Sequence, residues 1–226
     1  MAKLTQRQKE IRDLKKKYVA ALNAVEGVDK DMIKESIVNY IKDSVDYQDK
    51  VCLDLGTNIG SFVKIALDHG AKFVYGVECD PRNYAIASRN FESELRANIV
   101  FAAASGLEEE TLKIYKSNSK SNHSSTSILK RRGTFTEYDE VKNFHIKTLL
   151  NETQPDIVKI DIEGAEYSII DDVIEYRPDV LFIELHGNHD LTQETIQKLN
   201  EAYNHNEIEE ITIIQSVGGY DCLFYK

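Results

Sequence analysis

Lys159-Ile-Asp161-Ile-Glu163 sets three charges at alternate positions, directly before Gly164 and Glu166. The run Ile157–Ile162 reads as a short buried strand, in which alternate side chains share a face, so Lys159, Asp161 and Glu163 lie on one side. Charge on a buried strand is costly unless it is paired or meets a ligand. Lys159 beside Asp161 would keep that carboxylate ionised and oriented. Glu166 falls in the first turn of the helix that follows, where the dipole favours an acid; helix stabilisation and a role in a site both account for it. A second apolar run, Val180–Leu185, closes in the same way on Glu184 and His186. Imidazole titrates near neutral pH, which makes His186 the best-placed general base. His69 lies near a helix end, and His123, His145, His189 and His205 lie in polar or peripheral stretches, so these read as surface residues. The expected reacting set is Asp161, Glu163, Lys159 and His186. Asp161, Glu163, Glu184 and His186 would also suit a divalent cation. Pairing with Lys159 accounts for part of that set, and no metal is expected.

Asp54-Leu-Gly56-Thr-Asn58-Ile-Gly60 follows another apolar run, Val51–Leu55. Gly56, lacking a Cβ, allows a tight turn and close approach of a ligand, and Gly60 lets the next helix lie close to the strand. The following strand ends at Glu78, placed to accept both hydroxyl hydrogens of a ribose. A dinucleotide fingerprint requires G-x-G-x-x-G. Here the spacing is D-x-G-x-N-x-G, with Asn58 in place of the second glycine. A leading acid suits a cationic ligand better than a pyrophosphate, which favours S-adenosylmethionine, with its ammonium and sulfonium, over NAD. Ala103, Ala104 and Ser105 end the third strand and leave room for a flat adenine. The expected cofactor contacts are Asp54, Gly56, Asn58, Gly60, Glu78, Cys79, Ala103, Ala104 and Asp161.

The elements that must position these residues fall into two units. Residues 1–46 show helical spacing and no strand signal, with Leu14, Tyr18, Ala21 and Val25 in one stripe and Ile33, Ile37, Tyr40 and Ile41 in another. Gly27 separates two helices that form an N-terminal cap. In residues 47–226 strand-like runs alternate with helices. The runs are Val51–Leu55, Phe73–Val77, Ile99–Ala103, Ile157–Ile162, Val180–Leu185, Ile211–Val217 and Cys222–Tyr225. Helices start at Ile59, at Asp80-Pro81, after Gly164 and at Leu191, which predicts an α/β fold with a seven-stranded, mainly parallel sheet covered on both faces. Gly218–Asp221 is too short for a parallel crossover, so the last strand must run antiparallel. Residues 105–148 show no crossover helix, and the polar run Ser117–Ser127 reads as a long insertion, either a lid over the strand ends or disordered.

The formal charge of −10 weighs against general affinity for nucleic acid. Two basic stretches run against it: Lys3 to Lys17, with Arg7, Lys9, Arg12, Lys15 and Lys16, and Lys130-Arg131-Arg132. They read as solvated faces or as local contacts for an anionic substrate. Cys52, Cys79 and Cys222 lack metal-ligand spacing and read as free thiols. No run approaches the ~20 apolar residues of a membrane span, and the charged N-terminus is not signal-like, so a cytoplasmic protein is expected.

Asp54–Gly60, Glu78-Cys-Asp80-Pro81, Ala102–Ser105, Ser124-Ser125, Lys159–Glu166 and Ile183–Gly187, in that order, resemble the FkbM-type S-adenosylmethionine-dependent methyltransferases. Lys-Ile-Asp-Ile-Glu-Gly-Ala-Glu is the most specific of these elements. The resemblance implies a Rossmann-like sheet with a reversed last strand, cofactor contacts at Gly56, Asn58 and Glu78, and methyl transfer next to Asp161. It also implies O-methylation of a sugar or small metabolite. Two other readings stand beside it: methylation of a nucleic-acid target gripped by the basic stretches, and a non-catalytic binding module. The absence of an aromatic D/N-P-P-Y/F string after the fourth strand counts against amino methylation of bases.

Overall fold

The alternation of apolar runs and helical stripes resolves into helices α1 (Gln6–Ala21) and α2 (Val28–Tyr40), then β1 (Val51–Leu55), α3 (Ser61–Asp68), β2 (Phe73–Glu78), α4 (Pro81–Asn90) and β3 (Ala97–Phe101). The strands β4 (Ala103–Ser105), β5 (Thr111–Ser117) and β6 (Phe135–His145) follow, then α5 (Ile146–Thr153) and β7 (Ile157–Ile160). The chain ends with α6 (Ile170–Tyr176), β8 (Val180–His186), α7 (His189–Ala202), β9 (His205–Ile211) and β10 (Gly219–Tyr225). The computed structural model describes residues 5–23, 28–117, 126–128, 135–187, 189–211 and 219–226. Lys3, His123, Ser124-Ser125, Lys130-Arg131-Arg132 and most of the run Ile211–Val217 lie outside them.

Seven strands form one sheet in the order β3-β2-β1-β7-β8-β10-β9. The pairs from β3 to β8 are parallel, and β10 is antiparallel to both β8 and β9. This is the expected sheet with its reversed last strand. Alternate side chains supply two cores. Cys52, Val74, Ile157, Phe182 and Leu223 face α1, α2 and α3. Leu53, Leu55, Val158, Ile160, Leu181 and Ile183 face the other way, onto α5, α6 and α7. Asp80 caps α4 by accepting from the backbone N–H groups of Arg82 and Asn83, with Pro81 at the first position.

Two regions depart from the sequence reading. The 105–148 stretch is not an uninterrupted loop: β6 pairs parallel with β4 and antiparallel with β5, and α5 begins at Ile146. The signal was a period of two. Leu112 and Ile114 turn inward beside exposed Lys113, as do Val141 and Asn143 beside exposed Lys142, but each run is too short and too charged to stand out from its polar neighbours. β9 begins at His205, ahead of the expected Ile211. It is a sheet edge, where charged residues such as Glu207 replace the apolar run of an inner strand.

α2 is pinned to the sheet by aromatic rings. Tyr40 meets Phe62 of α3 edge-on at 5.2 Å and Phe182 of β8 at 5.3 Å, and Phe62 is 1% exposed. Phe62→Ala removes the ring shared by these elements and should cost about 3–5 kcal/mol, read as a lower urea midpoint at unchanged slope.

Candidate active site

The parallel strands bring their C-terminal ends to one edge of the sheet, where ligands bind in open α/β folds. β1 ends at Leu55, and the backbone N–H groups of Gly56 and Thr57 donate to the Val77 carbonyl at 3.0 and 3.1 Å. Gly56 has φ +79°, and a Cβ there would stand 1.8 Å from the Asp161 carbonyl oxygen, so no other residue fits. Asn58 turns the chain with φ +54° and donates its N–H to Glu78 Oε2 at 2.6 Å. The Asp80 N–H donates to Glu78 Oε1 at 2.7 Å. Burial pushes the Glu78 carboxyl up to about 7 against the pull of these two donors. Gly56, Asn58, Glu78, Cys79, Ala103, Ala104 and Asp161 line one cleft.

Beneath that cleft lies a buried ion pair. Asp54 and Lys159 are register partners on β1 and β7, and both face the α2 side of the sheet. The Lys159 ammonium stands 3.2 Å from Asp54 Oδ1 and 3.8 Å from Asp161 Oδ2. Its hydrogens go to the carbonyls of Gly56 at 2.6 Å and Leu55 at 3.3 Å. Asp54, fully buried, is thus balanced by charge rather than by hydrogen bonds. Burial pushes Asp54 above the usual carboxylate range despite Lys159. Burial alone would lower Lys159, but Asp54 and Asp161 outweigh it and hold the ammonium above its ordinary value.

β7 ends at Ile160, and the chain then turns through Glu163 at φ +54° and Gly164 at φ +103°. This turn carries Asp161 and Glu163 toward His186 at the end of β8. The imidazole Nδ1 lies 2.9 Å from Glu166 Oε1, and Nε2 lies 3.1 Å from Glu184, 3.9 Å from Glu163 and 4.0 Å from Asp161. Burial would lower its pKa, yet Glu166 and Glu184 outweigh burial and push it up to about 12. These carboxylates therefore favour the protonated imidazole, in the direction opposite to burial.

The sequence profile of the methyltransferase FkbM domain matches residues 54–208. The chain belongs to the FkbM methyltransferase family. No curated protein matches it in sequence. Among solved structures it is similar to a precorrin-6y C5,15-methyltransferase from Geobacter metallireducens GS-15, at TM-score 0.54 and 12% identity, over 92% of this chain and 96% of that one. It is also similar to a candidate RNA methyltransferase from Pyrococcus horikoshii, at TM-score 0.53 and 14% identity, over 96% of this chain and 98% of that one. At these identities the likeness is one of fold.

In this FkbM-family chain, two of the nine expected cofactor contacts stand back from the cleft. Asp54 is sealed under the floor with Lys159, and Gly60 opens α3 at φ +94° with its α-carbon against the Phe91 ring. Other lining residues carried no local signal. Glu35, Ser36, Asn39 and Tyr40 of α2 form one wall, and Thr126 and Ile128 reach in from the 105–148 stretch. Thr126 donates to Asp80 Oδ2 at 2.8 Å and Ser127 to the Glu163 carbonyl at 2.6 Å, which ties this segment to both sides of the cleft. Glu166 is buried, and besides holding His186 it accepts from the Gly164 N–H at 2.9 Å. Its spacing in a first helical turn pointed as well to a dipole role.

Removing one member of the buried pair strands the other. Lys159→Met should lower stability by about 3–5 kcal/mol, whereas Asp54→Asn combined with Lys159→Met should lose far less. Chemical denaturation of the three proteins measures the difference.

Proposed function

We propose that this chain is an S-adenosylmethionine-dependent methyltransferase acting on a hydroxyl of a sugar or small metabolite. The observation that carries the reading is a single cleft joining Glu78, at the head of β2, to Asp161, at the head of β7. The residues present suit the cofactor. Each Glu78 oxygen accepts one backbone N–H and retains a lone pair for a ribose hydroxyl. Gly56 lets the loop pass against the Asp161 backbone, where any Cβ would collide, and Ala102, Ala103 and Ala104 provide a low wall for a flat ring. When bound, S-adenosylmethionine supplies an electrophilic methyl group on a sulfonium.

The chain's own part is alignment and proton handling. Asp161 is the most exposed carboxylate around His186, its side chain 31% exposed against 24% for Glu184 and 17% for Glu163, and one of its oxygens takes the proton of the acceptor hydroxyl. Lys159 and the His186 imidazolium orient Asp161 from opposite sides, at 3.8 and 4.0 Å. Tyr40 and Phe62, with Thr126 and Ile128, flank the same cleft and limit water there. A hydroxyl is favoured over a nucleic acid because Glu35, Glu78, Asp161, Glu163 and Glu184 all line the cleft, a field that repels phosphates. Among the described residues no helix is long and apolar enough to cross a membrane.

Calorimetric titration with S-adenosylmethionine tests the reading, and absence of binding would sink it. Glu78→Ala should weaken binding about 10- to 100-fold, the worth of hydrogen bonds to a charged group. Asp161→Asn should instead slow methyl transfer by ~10²–10⁴-fold with a much smaller change in cofactor affinity. Glu78 must be ionised to accept two hydroxyls, so affinity should fall as pH drops through about 7, the value to which burial raises it. Glu78→Gln should flatten that dependence. The sign for stability is opposite: ionising Glu78 in the folded chain is unfavourable, a cost absent below the usual carboxylate range and complete above pH 7.

A further inference from the structure

Among the described residues, the carboxylates around His186 outnumber the cations. Asp161, Glu163, Glu166 and Glu184 each place an oxygen within 4.0 Å of an imidazole nitrogen, and Lys159 is already committed to Asp54 and to two carbonyls. The donor set is mixed, one nitrogen and several oxygens, unlike the purely acidic patches common on protein surfaces.

We infer that Asp161, Glu163 and His186 form a divalent-cation site at the reacting end of the cleft, with Glu184 beside it and Glu166 as the residue that positions the imidazole. Oδ1 of Asp161, Oε2 of Glu163 and Nε2 of His186 face one another, and the three residues offer ligand atoms all within 4.8 Å of one another. Ligand atoms sharing a cation with bonds of about 2.1–2.5 Å stand about 3–5 Å apart. A second, independent feature lies behind the ring. Glu166 is fully buried and holds Nδ1 at 2.9 Å. A carboxylate on the far nitrogen is the arrangement that fixes the tautomer and orientation of a metal-bound histidine. Its other oxygen, Oε2, is buried with no hydrogen-bond partner among the described residues. Imidazole and carboxylate together suit Mn²⁺ and related ions. The cation's use in catalysis, to hold and acidify the acceptor hydroxyl next to Asp161, rests on the methyltransferase reading; its binding does not.

Mn²⁺ titrated into the full-length chain, followed by loss of the free-ion paramagnetic resonance signal, tests the site. One Mn²⁺ should bind per chain. Glu163→Gln and His186→Asn should each weaken it at least tenfold, and Glu166→Gln about 10- to 100-fold. Glu163 is partly exposed, its side chain 17% accessible, so its variant keeps the test open where substitution of His186 disturbs folding. Calorimetry with S-adenosylmethionine on the same proteins reports whether the cofactor end of the cleft is intact. No Mn²⁺ bound at millimolar concentration overturns the site, as does binding that none of the three substitutions weakens. Mn²⁺ binding without cofactor binding overturns the methyltransferase reading and leaves the metal site standing.

Discussion

The Lys159 ammonium is the interaction on which the site depends. It is buried between β1 and β7, and it can stay charged there because Asp54, Asp161 and two carbonyls surround it. Those same contacts fix the end of β1, the Gly56 turn and the approach of Asp161. Gly56 then has to be a glycine, since the Asp161 backbone occupies the space of a side chain. A buried pair of this kind adds little net stability, because desolvation offsets most of the attraction. What it supplies is position: two loops far apart in sequence are locked to one point.

A second constraint is the excess of negative charge beyond that point. Burial raises Glu184, and it raises Asp221, its register partner on β10, to about 7. The neighbouring carboxylates raise His186 as well, against burial, which would lower it. An imidazole between carboxylates is a cation first and a base only when something removes its proton. Among the described residues, the cleft lining is thus predominantly negative.

Enclosure comes from parts outside the central sheet. α2 is held by the Tyr40, Phe62 and Phe182 rings, and its Asn39 side chain donates to Asp221 at 2.8 Å. On the other side, Thr126 and Ser127 hydrogen-bond to Asp80 and the Glu163 carbonyl. The cleft is thus bounded by α2, which precedes the residues matched by the family profile, and by Thr126 and Ile128, which lie within them.

Sequence alone determined the sheet, its reversed last strand, the acid-led glycine loop and the carboxylates at the strand ends. These are local: periodicity sets the strands, and loop chemistry is written in consecutive residues. The small sheet of residues 103–145 and the edge strand β9 were hidden because their alternation is short and charged. Tertiary structure decided three things that no local pattern contains. Asp54 is the buried counter-ion of Lys159, since its partner comes from a different strand. The proton affinity of His186 is raised, since it is set by Glu166 and Glu184 through space. α2 is a wall of the cleft, since its inward face says only that it packs, not against what. In each case the deciding quantity is a distance between residues remote in sequence, and sequence spacing carries no measure of it.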